Sequence, residues 1–134
     1  MDFLSIRVIT EDPKRLVTFY EHVTGLPAKW FTDDFAEIAT PTGTLAIAHV
    51  RTMAQFAAGA ARPAANASVI LELRVDDVDA TYARIRTLIG AAVQEPTTMP
   101  WGNRSLLFRD PDGNLVNYFQ PVTPAARARF ADKM

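Results

Sequence analysis

Apolar and polar side chains alternate through Phe3-Leu4-Ser5-Ile6-Arg7-Val8-Ile9, which is the period of a strand with one buried face. The pattern changes at Asp12-Pro13, an N-cap followed by a residue suited to the first helical turn. Leu16, Phe19, Tyr20 and Val23 then recur at helical spacing, which predicts a helix to about Thr24, and Gly25 supplies its stop. Strand patterning returns over about 28–32, 34–39 and 44–50, the last two joined by the turn Pro41-Thr42-Gly43. The order then repeats. A strand over 68–75 leads to a helix from Asp77 to about Ile89, the stop Gly90, and strands near 92–95, 103–109 and 114–120.

Each half therefore reads βαβββ, and the halves are in register with one another. Asp12 and Gly25 reappear 65 residues later as Asp77 and Gly90. The segment Thr40-Pro41-Thr42-Gly43 through Ile47 matches Asp110-Pro111-Asp112-Gly113 through Asn117 at an offset of 70. Two units of about 55 residues are each too small to bury a good core alone, so one domain over 1–121 is expected. Its parts are unit one (1–50), an Ala-rich connector (51–67) with room for a short helix, and unit two (68–121). In the tail, 122–134, the run Ala125 to Phe130 predicts a short helix with its arginines in solvent.

The chain of 134 residues has no cysteine, which excludes disulfides, thiolate catalysis and Cys-ligated metals. Its 14 basic and 15 acidic residues give no electrostatic footprint for nucleic acid. No apolar run is long enough for a membrane span, and Met1-Asp2 leads into a strand without a basic leader, so a cytoplasmic protein is expected. Nucleophile-elbow, phosphate-loop and dinucleotide motifs are absent from the sequence.

Phe19-Tyr20 in the first helix, Gly25 after it, Asp76-Asp77-Val78-Asp79 opening the second helix, and Trp101-Gly102 before Asp110-Pro111-Asp112-Gly113-Asn114 resemble the vicinal oxygen chelate superfamily. That superfamily includes glyoxalase I, bleomycin-resistance proteins and extradiol dioxygenases. The resemblance spans about residues 3–121, and Thr24 departs from it where a leucine is usual. It implies an α+β fold of two tandem βαβββ units forming a pseudo-symmetric curved mixed sheet, two half-barrels with helices outside. It also implies a homodimer. Metal-using members place one ligand on the first strand and one on the last strand of each unit, and these positions fall here on Ser5, Ile47, Ile70 and Asn117. The repeat agrees, matching Ser5 to Ile70 and Ile47 to Asn117. His, Glu or Gln is expected at such positions and none is present, so no metal and no other cofactor is expected.

Strand alternation extends the site. If Ser5 and Ile70 line the cavity, Arg7, Ile9, Glu72 and Arg74 do too, with Leu45 and His49 joining Ile47, and Leu115 and Phe119 joining Asn117. Arg7 and Glu72 hold equivalent places with opposite charge, either as an ion pair across the cavity or as separate exposed charges. Glu37, Glu72 and His49 are the candidate general bases, Glu37 standing opposite Ile47 unless a bulge reverses it. Trp101 in its loop and Phe119 supply aromatic surface. The ligand-binding set is thus Arg7, Glu72, His49, Trp101, Asn117 and Phe119. The leading expectation is a metal-free protein that sequesters a small aromatic or hydrophobic compound. The alternative is a lyase, isomerase or dioxygenase of the same fold.

Overall fold

In the computed structural model, which describes residues 1–133, the chain divides into two compact units, the first being Met1–Asn66 and the second starting at Ala67. The first unit contains β1 (Ser5–Thr10), α1 (Pro13–Thr24), β2 (Lys29–Thr32), β3 (Phe35–Thr40), β4 (Gly43–His49) and a short 3-10 helix, Val50–Gln55. Its sheet runs β1-β4-β3-β2, with β1 parallel to β4 and the other pairs antiparallel. Asp12 caps α1 by accepting a hydrogen bond from Arg15 N at 3.1 Å, and Pro13 occupies the first turn, where a missing N–H costs nothing. The stripe of Leu16, Val17, Tyr20 and Val23 is fully buried and packs on β3 and β4.

The second unit repeats the order with β5 (Ile70–Arg74), α2 (Val78–Ile89), β6 (Gln94–Thr98), β7 (Asn103–Arg109) and β8 (Leu115–Pro121), then adds α3 (Pro124–Phe130). Its sheet runs β5-β8-β7-β6, with β5 parallel to β8. Asp77 caps α2 through Ala80 N at 3.0 Å. Val78 and Ile85 of α2 are buried, as are Leu71, Leu106, Phe108, Val116 and Tyr118 on one face of the sheet. Phe108 and Tyr118 meet edge to face with centroids 5.0 Å apart. The second strand of this unit, β6, lies later than the sequence pattern indicated. Pro96 lacks an N–H, so it is tolerated because β6 is an edge strand, and the ladder with β7 shifts register between Gln94 and Thr97. Among the described residues no helix is long and apolar enough to cross a membrane.

The two units differ at the hairpin before their last strand. In the first, the pair Ala39 and Thr44 encloses the four residues from Thr40 to Gly43. In the second, the pair Arg109 and Leu115 encloses the five residues from Asp110 to Asn114. Asp110 organises the longer loop: Oδ1 accepts from Asp112 N and Asn114 N, both at 2.9 Å, and Oδ2 accepts from Asn114 Nδ2 at 2.7 Å. Gly113 completes it at φ +85°, in the left-handed region that favours glycine.

Candidate functional site

The extra loop residue decides which side chains of the last strand face which way, because a slip of one residue moves every side chain to the other face. In the second unit Glu72 stands beside Asn117, Ile70 beside Leu115 and Arg74 beside Phe119, the face predicted from sequence. In the first unit Arg7 stands beside Ala46, not Ile47. Ala46 is thus the counterpart of Asn117, at an offset of 71, and the match of Ile47 to Asn117 is corrected. Ile47 is fully buried and shares its face with Val8, Ala36 and Ile38, on the side packed against α1.

His49 moves with Ile47, since it stands beside Thr10 on the α1 side. Its Nδ1 accepts from Arg51 N at 3.0 Å and its carbonyl accepts from Thr52 Oγ1 at 2.8 Å, so it caps the 3-10 helix. Those contacts give it a local structural task. Glu37 pairs with Ala46 rather than Ile47 and so lies, half-buried, on the Arg7 face, with Lys29 beside it.

On that face the Arg7 guanidinium carbon lies 4.7 Å from the Phe35 ring centroid and 5.3 Å from that of Phe56. Phe31 packs on Phe35 with centroids 5.6 Å apart, and Lys29 Nζ lies 4.9 Å from the Phe31 centroid. Two cations and three rings thus form a continuous band, with Phe35 half-buried at its centre and the others exposed. Among the described residues of the first unit, none accepts a hydrogen bond from Arg7. The sequence reading missed Phe56, because cation–π partners from a connector leave no periodic signal.

In the second unit Asn117 Nδ2 donates to Glu72 Oε2 at 2.8 Å. A carboxylate only accepts, so the amide nitrogen must face Glu72 and the amide oxygen is fixed on the other side. That oxygen, Asn117 Oδ1, is buried and takes no hydrogen bond among the described residues. A buried acceptor without a donor costs about 1–3 kcal/mol, and Asn103 Oδ1, farther along the same face, is a second such acceptor. Arg74 and Phe119 are occupied by the tail instead. Arg74 Nη1 donates to the Phe130 carbonyl at 3.1 Å, Nη2 donates to the Lys133 carbonyl, and the Phe119 and Phe130 centroids are 5.2 Å apart. Ile70 is half exposed, and Trp101, 59% exposed, stands in the turn before β7 without a ring partner among the described residues.

The positions that the resemblance assigns to metal ligands carry a hydroxyl (Ser5), two isoleucines (Ile47, which is buried, and Ile70) and an amide already bonded to Glu72 (Asn117), and Ala46, the register counterpart of Asn117, offers only a methyl. A divalent cation needs several oxygen or nitrogen donors converging on one point, and these side chains do not fit one. Among the described residues, no group of three or more His, Asp or Glu could hold a metal ion.

The sequence profile of the Glyoxalase/Bleomycin resistance protein/Dioxygenase superfamily matches residues 3–118. The chain is 29% identical to the Bacillus subtilis protein YraH over 126 residues, covering 90% of this chain and 98% of YraH. Its fold is similar to that of a glyoxalase/bleomycin resistance protein/dioxygenase from Nocardioides, with TM-score 0.74, 22% identity, and 92% and 85% of the two chains covered. It is also similar to a family enzyme from Burkholderia phytofirmans, with TM-score 0.78, 16% identity, and 91% and 100% covered. With the profile spanning both βαβββ units, this chain belongs to the glyoxalase/bleomycin resistance/dioxygenase superfamily.

Proposed function

We propose that this protein binds a small, partly aromatic organic compound without a metal, and that Glu72 and Asn117 anchor it by accepting hydrogen bonds. The observation that carries this reading is the orphaned Asn117 Oδ1 beside a carboxylate, on the sheet face opposite α2. The Glu72 carboxylate, and Asn117 Oδ1 on the far side of the amide, both suit an N–H or O–H donor on the ligand, and apolar Ile70 and Leu115 next to them suit its hydrocarbon part. Sequestration by binding needs shape, apolar contact and a few such hydrogen bonds, which this set can supply. An acid–base enzyme gains less support, since His49 is engaged as a helix cap. Two copies are proposed to pair, because Phe3 and Leu4 before β1 and Val69 and Ile70 at the start of β5 are exposed apolar residues.

Equilibrium dialysis against aniline, phenol, benzamidine and toluene, with recovery of each compound, tests the reading. Donor-bearing members should bind, come back unchanged, and bind at least about tenfold more weakly to Asn117→Leu. Conversion of a compound would favour an enzyme. Equal binding of toluene, or binding unaffected by Asn117→Leu, would overturn the anchor.

A further inference from the structure

We infer that Arg7, held against Phe35 and Phe56, is a second binding site on the first unit, specific for an aromatic carboxylate. The inference goes beyond the Glu72–Asn117 reading and does not depend on it, since every residue it uses lies within Met1–Asn66.

An arginine exposed on a sheet ordinarily samples many rotamers or pairs with a carboxylate. Arg51 of this unit pairs with Asp34 at 2.9 Å, while Arg7 lies over two rings. Stacking against rings uses the faces of a guanidinium and leaves its N–H groups, which lie in its plane, available at the edge. The ordering that a carboxylate would impose on a flexible arginine is thus largely in place, and the planar fork matches a carboxylate with two aligned hydrogen bonds. The floor beside it is small and apolar, with Ala46 next to Arg7 and Ala48 next to Phe35, both buried.

The ring surface points to an aromatic acid over a bare anion. Phe56 is 67% exposed and Phe31 51% exposed, so both present faces on which a second ring can stack. Charge on this face agrees: Arg7 and Lys29 outnumber Glu37, and Lys29 stands directly beside Glu37. Phe56 comes from the connector, just after the 3-10 helix, and is held there by its N–H donating to the Met53 carbonyl at 3.1 Å. The connector thereby contributes a specificity-determining residue.

The test is a titration with benzoate, acetate and benzamide, following the Arg7 Nε–H, the backbone N–H of residue 56 and the Asn117 Nδ2 resonances by NMR in wild type, Arg7→Lys and Phe56→Leu, after unfolding curves confirm that both variants fold; in Arg7→Lys the residue-56 N–H reports the site. Benzoate should shift the Arg7 signal in a saturable way, while benzamide, which lacks the charge, and acetate, which lacks the ring, should each bind at least about tenfold more weakly. Arg7→Lys should lose at least about tenfold in benzoate affinity, since lysine keeps the charge but not the fork, and Phe56→Leu should lose severalfold, to roughly a fifth or a third. No Arg7 shift with benzoate, an equal benzamide affinity read from the Arg7 signal, or an unchanged benzoate affinity in Arg7→Lys would overturn the site. Ligand effects confined to Asn117 Nδ2 would overturn this inference and leave the proposed function standing.

Discussion

Asn117 Nδ2 donates to Glu72 Oε2 at 2.8 Å across the parallel neighbours β8 and β5, and this bond fixes which way the Asn117 amide faces. The buried, partnerless Oδ1 follows from it. Orientation of one amide thus turns an ordinary pair of strand side chains into an acceptor site.

Replacing that amide by a carboxylate should reverse the attraction. Asn117→Asp places two carboxylates side by side, so each raises the other's pKa in the folded variant above its unfolded value. The variant should be less stable than wild type by about 1 kcal/mol at pH 7, a deficit that shrinks as pH falls toward about 4 and the pair takes up a proton. Urea unfolding of both proteins across that range measures it, and a pH-independent difference would place the two side chains out of contact.

Gly102 and Gly113 both have positive φ but differ in surroundings. A Cβ on Gly102 would run into Thr123 Oγ1 and lie 3.1 Å from Ala126 Cβ, whereas nothing lies within 4 Å of one on Gly113. Gly113→Ala should therefore cost about 1 kcal/mol through backbone strain alone, and Gly102→Ala at least about 2–3 kcal/mol, because the start of α3 must also move. Thermal unfolding ranks the two. Equal losses would mean that α3 yields freely.

Burial raises the Tyr118 phenol above the ordinary tyrosine range, against a smaller lowering by the Arg84 charge. The folded state then keeps its proton where the unfolded chain releases it. Tyr118 therefore adds no pH dependence below about pH 10, and its share of stability is lost as pH rises above that value. Unfolding free energy measured from pH 8 to about 11 should fall at the alkaline end, less steeply in Tyr118→Phe. The same slope in both proteins would assign the alkaline loss to other groups.

Much of the fold was legible because local chemistry and periodicity agree. Asp12-Pro13 and Asp77 start helices that Gly25 and Gly90 end, and strand alternation placed Glu72 and Asn117 together on one face. The first unit's face was misread at β4 for a specific reason. Thr40-Pro41-Thr42-Gly43 and Asp110-Pro111-Asp112-Gly113 look alike in sequence, but Thr40 pairs directly with Gly43, whereas Asp110 folds a loop with its carboxylate that holds one residue more. That residue moved Ile47 and His49 to the α1 side and put Ala46 beside Arg7. The contacts of Phe56 with Arg7 and of Phe130 with Phe119 join residues from different elements, which periodicity within one element cannot express.

We propose that Glu72 and Asn117 anchor a small organic ligand without metal. The most direct measurement is the binding isotherm of the tightest donor-bearing compound, read from the Asn117 Nδ2 resonance in protein dialysed against a chelator and again after addition of Zn, Ni, Mn or Fe. A saturable shift is expected in the chelated protein, with the same affinity after each metal is added. Binding that appears only with a metal, or a shift that leaves Asn117 untouched, would contradict it.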